Sequence, residues 1–192
     1  ALMVIPLPLV TVLFERGSMT SDDSAAIAAA VAIYGLGLPA FVLQKTLQPL
    51  FYAREDTKSP FRFALVAMIV NAALAFGLAP VIGWIAPAIA TTLAGWVMVL
   101  LLAIGTRPMG DVARFDAQLR RRIWRICVAS AGMGALLWSA SASMSTFLGM
   151  AGWRYLALAI LVTFGMFTYF AFAHLIGAIR ISELKGAMRR GR

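Results

Sequence analysis

FALVAMIVNAALAFGLAPVIGWIAPAIATTLAGWVMVLLLAIGT, residues 63–106, runs for 44 positions without one Asp, Glu, Lys or Arg. As a single helix this stretch would be about 66 Å long, against a hydrocarbon core of about 30 Å. It reads as two membrane spans. The break is predicted between Pro80 and Pro87, which bracket Val81, Ile82, Gly83, Trp84, Ile85 and Ala86. In lipid every backbone N–H and C=O must be satisfied within the chain, so the stretch commits the fold to a helical bundle.

The rest of the 192 residues agrees. Hydrophobic residues make up 61% of the chain and charged residues 13%, where a soluble domain carries about 25% charged. There is too little polar surface to cover a soluble globule. The net charge of +9 does not point to nucleic acid, because the basic residues sit between long apolar runs, as at a cytoplasmic membrane face. Cys127 is the single cysteine, which rules out an intrachain disulfide. With no His/Cys cluster, no zinc-type site is expected. Cys127 reads as a small apolar residue within a span.

Outward from residues 63–106, six apolar segments appear: about 1–14, 24–51 (with Lys45 its only charge), 61–80, 86–105, 123–147 and 153–179. The predicted fold class is all-α, a polytopic helical membrane protein with about five full transmembrane helices plus a truncated one. The first segment would span only about 21 Å as a helix, short of a crossing. It has neither the basic lead nor the small-residue cleavage site of a signal peptide. The chain is expected to be the C-terminal part of a longer protein, cut inside a span. Thr20, Ser21, Asp22 and Asp23 offer N-cap oxygens and acids to the second segment. Ser59 before Pro60 suits a helix start, with Pro60 expected at the first helical position. Gly149 and Gly152 mark the turn between the last two segments.

Lys and Arg set an orientation. Fourteen lie in the loops after the second and fourth segments and in the tail, whereas the alternate loops hold only Arg16 and Arg154. The bias places the C-terminus in the cytoplasm and residues 15–23 outside. Residues 115–125 read as a basic connector or as an amphipathic helix on the inner leaflet, its arginines facing anionic headgroups or an anionic lipid substrate.

An ionisable group inside a span is a functional candidate by default, and Lys45 is the one present. It lies about 13 Å along the helix from Arg54, so its stem could also snorkel to the interface. Gln44, Lys45 and Gln48 form one polar face at helical spacing. Gly35, Gly37 and Pro39 weaken the same segment, and Pro39 is expected to kink it. Asn71 lies mid-span, and Thr91 and Thr92 lie in the next segment. They offer interhelical hydrogen bonds or oxygens for a small cation, although the position one turn after Asn71 is Ala75 rather than a carboxylate. His174 near the end of the last segment reads as packing rather than a proton relay. No catalytic set, cofactor motif or phosphate loop appears, and Glu55–Asp56, flanked by bases, reads as a solvated loop. An enzyme is not expected, and neither is a cofactor.

One series of motifs is specific. LFERGSMT (residues 13–20) is followed by YGLGLPA (34–40), then Lys45, then FYAREDTKSP (51–60). In this order they closely resemble the MurJ/MviN family, the lipid II flippases of bacterial cell-wall synthesis. The likeness is strong over residues 9–95 and continues as a topology match to the C-terminus. It implies a fourteen-helix protein of the MOP exporter superfamily in the bacterial cytoplasmic membrane, with two six-helix lobes and two added helices. On that mapping residues 1–106 run from the end of helix 9 to helix 12, residues 107–122 are a cytoplasmic basic connector, and residues 123–192 are the added pair and a basic tail.

The resemblance implies that undecaprenyl-pyrophosphate-linked disaccharide-pentapeptide (lipid II) moves from the inner to the outer leaflet by alternating access. The implied partners are lipid II, membrane lipids and the N-terminal part of the same protein. The arginine-lined central cavity of the family falls outside this chain. Lys45, Arg54 and Lys58 sit in matching motifs, which implies a role at the cytoplasmic mouth, with Gln44 and Gln48 beside Lys45. A groove for the lipid tail beside the added helices is expected to be lined by small residues: Ala131, Gly132, Gly134, Ala135 and Gly165. The alternatives are another MOP-type exporter of polysaccharide-lipids or drugs, and a non-transporting membrane scaffold for cell-wall enzymes.

Overall fold

The computed structural model describes residues 1–15, 19–108, 117–149 and 152–177, with the side chains of 117–122, 146 and 149 left aside. The described residues form helices and turns: α1 (Pro6–Phe14), α2 (Ser21–Tyr52), α3 (Lys58–Ile82), a 3-10 turn (Gly83–Ile85), α4 (Ala86–Thr106), α5 (Ala117–Ser143), α6 (Ser145–Gly149) and α7 (Arg154–Leu175). Four runs are long and apolar enough to cross a membrane, at Ser21–Tyr52, Lys58–Thr106, Ile123–Ser143 and Arg154–Leu175. The second run is the hairpin of α3 and α4, broken within the predicted interval. Gly83 breaks it with φ 58° and ψ −134°, a region that side-chain-bearing residues avoid. Pro87 sits in the first turn of α4, where its missing N–H costs nothing. This is an all-α polytopic membrane protein.

The helix ends follow local chemistry. Thr20 caps α2 in a capping box: the Asp23 N–H donates to Thr20 Oγ1 at 3.3 Å, and the Thr20 N–H donates to Asp23 Oδ2 at 3.0 Å. α3 starts two residues before the expected position. Thr57 is its N-cap, so Pro60 is third in the helix rather than first. The physical reason is that none of the first-turn N–H groups has an intrahelical acceptor, so proline is tolerated throughout that turn. The Ser59 N–H is satisfied instead by Asp56 Oδ1 at 3.0 Å. α1 begins at Pro6, later than the expected start at residue 1. The preceding residues form a turn in which Ala1 O accepts from Val4 and Ile5 N–H at 2.8 and 2.9 Å. α5 starts at Ala117, so the last residues of the expected connector are helical. Residues 109–116 of that connector and the side chains of Arg120, Arg121 and Arg122 lie outside the described set, as do Arg16 and the basic tail.

The chain divides into two compact units. One is α2, α3 and α4. In it Leu47, Phe51, Met98 and Leu102 form a buried cluster, with Phe63 edge-on to Phe51 at 6.0 Å and 82°. The other is α1, α5, α6 and α7, centred on Ile5, Leu137 and Leu161. That grouping sets α1 with the final helices, because Ile5 and its neighbours Val4 and Leu9 pack against Leu137 and Leu161. Outside these clusters the helices present large apolar side chains: Phe76 is 81% exposed, Phe167 75% and Trp138 69%. In water this would be a severe aggregation surface; against lipid tails it is the expected exterior.

Candidate functional site: a polar cavity and a clamped helix pair

Lipid tails are as apolar as leucine, so burial does little to drive one helix onto another in a membrane. Close packing and interhelical hydrogen bonds must do so. α2 and α4 use both. Gly35, Gly37 and Ala40 of α2 are buried, as are Thr92, Ala94 and Gly95 of α4. A Cβ at Gly37 would lie 3.2 Å from Thr92 Oγ1 and only 3.6 Å from the Thr92 Cα, the latter showing how close the two backbones come. Three side chains bridge the pair. Thr92 Oγ1 donates to the Ile33 carbonyl at 3.1 Å, Trp96 Nε1 to the Leu36 carbonyl at 3.1 Å, and Gln44 Nε2 to the Gly95 carbonyl at 2.9 Å. Two of these land within the turns of α2 next to Pro39. There the proline removes one backbone bond and its ring crowds the Gly35 carbonyl. α2 runs unbroken through Pro39 from Ser21 to Tyr52.

Between α2, α3 and α4 lies a cavity of about 330 Å³. Gln44, Gln48, Asn71 and Thr91 all line it, among Phe41, Met68 and Met98. The structure thus gathers four of the sequence candidates from three helices into one place. Lys45 is not among the lining residues and is exposed on α2. One residue of offset turns a helical side chain by about 100°, so the polar face expected for Gln44, Lys45 and Gln48 divides, with the glutamines in the cavity and the lysine outside it. Among the described residues no hydrogen bond joins Asn71 to Thr91, and the bond across to another helix is made by Thr92. The lining carries amide and hydroxyl groups and no charge. It can host water or an uncharged polar group. The side-chain oxygens of Gln44, Gln48, Asn71 and Thr91 are all hard oxygen donors, and among the described residues no group of three His, Cys, Asp or Glu gathers to hold a metal.

At the end of α2 the chain turns sharply. The Asp56 N–H donates to the Phe51 carbonyl at 3.1 Å and the Glu55 N–H to the Tyr52 carbonyl at 3.0 Å. This is a Schellman closure with Glu55 at φ 59°, where glycine is the usual occupant. Arg54 and Lys58 flank the turn, and both are exposed. Asp56 is held below the usual carboxylate range, first by the Ser59 hydroxyl, then by the Ser59 N–H, with a smaller contribution from the charge of Arg62. The acid–base pattern at residues 54–62 therefore includes a structural device: Asp56 starts α3.

The glycines expected to line a lipid groove serve different ends. A Cβ at Gly132 would meet the Phe172 ring at 3.3 Å, and one at Gly134 would meet Val4 at 3.3 Å; both positions are filled by packing neighbours. Gly165 lies under Leu137, 3.0 Å from a built Cβ. It also lines an apolar cavity of about 200 Å³ with Ile5, Leu9, Val162 and Phe170. Ala131 and Ala135 are exposed, as are Cys127 and His174. Sequence reasoning missed Trp96 and Gly95. The signal was available as a glycine beside a tryptophan at mid-span, since an indole N–H in lipid requires an acceptor.

The described residues thus build a multi-helix membrane protein with a polar cavity inside a hydrogen-bonded helical block. Comparison with known proteins makes the assignment particular. The family model for "Lipid II flippase MurJ" matches residues 1–157, and the chain belongs to that family. It is 37% identical over 199 residues to the "Probable lipid II flippase MurJ" of Rhizobium tropici, covering 100% of this chain and 36% of the relative. The protein of the same name in Rhizobium meliloti (strain 1021) is 40% identical over 201 residues, again with 100% and 36% coverage. That of Vibrio cholerae is 35% identical over 191 residues, with 97% and 35% coverage. The chain thus spans little more than a third of the length of these relatives.

Proposed function

We propose that this chain is the C-terminal portion of a lipid II flippase of the bacterial cytoplasmic membrane. The whole protein moves the undecaprenyl-pyrophosphate-linked disaccharide-pentapeptide from the inner to the outer leaflet by alternating access, and no covalent bond is made or broken. Family membership across residues 1–157 carries this reading. The block of α2, α3 and α4 belongs to the second lobe, and the hydrogen bonds between α2 and α4 suit a lobe that moves as one body. Arg54 and Lys58, exposed at the α2–α3 turn, face the cytoplasm and attract the pyrophosphate to the mouth. Lys45 faces the translocation path from the outside of this block. α5 and α7 are the added pair, and the apolar cavity at Gly165 takes part of the lipid tail. The C-terminus is cytoplasmic, as the arginine bias requires.

The test is growth rescue. The full-length parent, expressed in cells depleted of their own flippase, restores growth and rod shape. A well-expressed, membrane-inserted parent that leaves the depleted cells lysing refutes the proposal and favours another exporter of the same architecture. Residues 1–192 alone do not rescue, because alternating access needs both lobes.

A further inference from the structure

α2 is bonded to α4 on one side and bare on the other. Ile33, Leu36 and Gln44 carry its hydrogen bonds to α4. At about 100° per residue, all three point about 100° or more away from Lys45. Residues 27, 34, 38, 45, 49 and 52 instead fall within an arc of about 60°, and each is exposed. That stripe mixes apolar Ile27, Leu38 and Pro49 with three polar tips, those of Tyr34, Lys45 and Tyr52. Among the described residues none of these tips makes a hydrogen bond, ion pair or ring contact.

Depth separates the three. Ser24 ends the polar start of α2, and Tyr34 lies ten residues, about 15 Å, beyond it. That is half of a hydrocarbon core of about 30 Å. Lys45 is about 16 Å further along and Tyr52 about 10 Å beyond that. Tyr52 therefore sits at an interface, where tyrosine is favoured, and Lys45 can extend its stem to one. Tyr34 can do neither. A phenol at mid-membrane needs a hydrogen-bond partner, because hydrocarbon offers none. Thr46, off the stripe, meets the same need by donating to the Val42 carbonyl of its own helix at 3.1 Å. The rigid ring of a tyrosine holds its hydroxyl too far out for that.

We propose that this stripe of α2 lines a water-filled path, and that the Tyr34 hydroxyl contacts the substrate headgroup as it passes mid-membrane. The proposal rests on the flippase reading and deepens it. Lys45, nearer the cytoplasmic end, takes phosphate oxygens. Tyr34, about 16 Å further from that end, takes uncharged hydroxyl and amide groups through a phenol that both donates and accepts. This division has a kinetic consequence. Tyr34 meets the headgroup only after it has left the mouth, so it acts on the crossing step and not on capture.

The experiment uses the full-length protein in nanodiscs, with its native cysteines replaced by serine, the exposed Cys127 among them. Tyr34→Cys, Lys45→Cys and Phe167→Cys are each treated with a charged, membrane-impermeant methanethiosulfonate, which reacts with the thiolate that forms in water. Phe167, exposed on α7, sets the rate in lipid. Tyr34→Cys is expected to react about tenfold faster than Phe167→Cys or more, and added lipid II should slow it. Tyr34→Phe, which keeps the ring, should lower lipid II translocation in vesicles about two- to tenfold, the loss of one hydrogen bond, with lipid II binding unchanged. A Tyr34→Cys thiol that reacts no faster than that of Phe167→Cys overturns the proposal, because lipid or another helix then covers the stripe. Labelling that lipid II leaves unchanged also overturns it, as does a Tyr34→Phe protein that translocates at the wild-type rate or loses binding and rate together. The two readings fail separately: wild-type vesicles that flip no lipid II refute the flippase reading, and the thiol rates still decide whether the stripe faces water.

Discussion

Replacing Gly37 tests whether α2 and α4 are held at the distance the structure gives. Two opposing effects of similar size meet at this position. Alanine in place of glycine favours a helix by about 1 kcal/mol. Its Cβ would lie 3.2 Å from Thr92 Oγ1, and the next contacts are Phe41 at 3.5 Å and the Thr92 Cα at 3.6 Å. The hydroxyl must therefore give way, which puts its bond to the Ile33 carbonyl at risk. An interhelical hydrogen bond in a membrane contributes about 0.6 kcal/mol on average and at most about 1.7. Gly37→Ala is thus expected to be neutral within about 1 kcal/mol. Gly37→Leu gains nothing further in propensity and forces three more carbons into the same gap, an overpacking cost of about 1–3 kcal/mol.

The assay is thermal unfolding of the purified full-length protein in detergent. Gly37→Leu should lower Tm, by less per kcal/mol than the roughly 2–4 °C of a 150–250-residue domain because the full-length protein is larger, with Gly37→Ala close to wild type. Adding Thr92→Ala removes the atom that Cβ meets, so in Gly37→Ala/Thr92→Ala the effects should fail to add by about 0.5 kcal/mol or more. A Gly37→Leu protein that melts with the wild type, or strict additivity in the double variant, would show that the helices do not approach as described.

Gly83 holds φ 58° and ψ −134° with open space around it, so Gly83→Ala should destabilise through backbone strain alone, by about 1–3 kcal/mol; an unchanged unfolding midpoint would contradict this. Asp56, whose acidity is raised by Ser59 and Arg62, stabilises the start of α3 above the ordinary aspartate range, and that contribution disappears as pH falls through its depressed folded-state value. Asp56→Asn should flatten the acid limb of a stability profile, and an identical limb would show that the cap is idle. Lys45→Ala should impair translocation with little change in stability, since the side chain is exposed on α2; wild-type transport would assign Lys45 to snorkelling.

How much the sequence could reveal followed from what hydropathy encodes. It encodes depth. The charge-free run at 63–106, its break between Pro80 and Pro87 and a cap among residues 20–23 depend on residues along one chain direction, and they were legible; that Gly83 makes the break and Thr20 the cap came from the structure. Hydropathy encodes rotation poorly here, because a helix bathed in lipid is apolar on every side. That is why Gln44 and Gln48 could be assigned a shared face with Lys45, yet the division between cavity and exterior could not be foreseen. It is also why Thr92, rather than Thr91, proved to be the residue bonded to α2. Gly132 and Gly134 looked like groove residues by size, but size alone does not tell whether a neighbour such as Phe172 or Val4 fills the space. Glu55 was illegible for a different reason: a left-handed turn closed by a glutamate runs against backbone preference, and only the surrounding hydrogen bonds show it.

The measurement that bears most directly on the account is translocation of fluorescent lipid II in vesicles reconstituted with the full-length parent protein. The account requires protein-dependent movement across the bilayer above the protein-free background, weakened by Lys45→Ala. A folded, correctly inserted parent whose vesicles flip lipid II no faster than empty ones would contradict it.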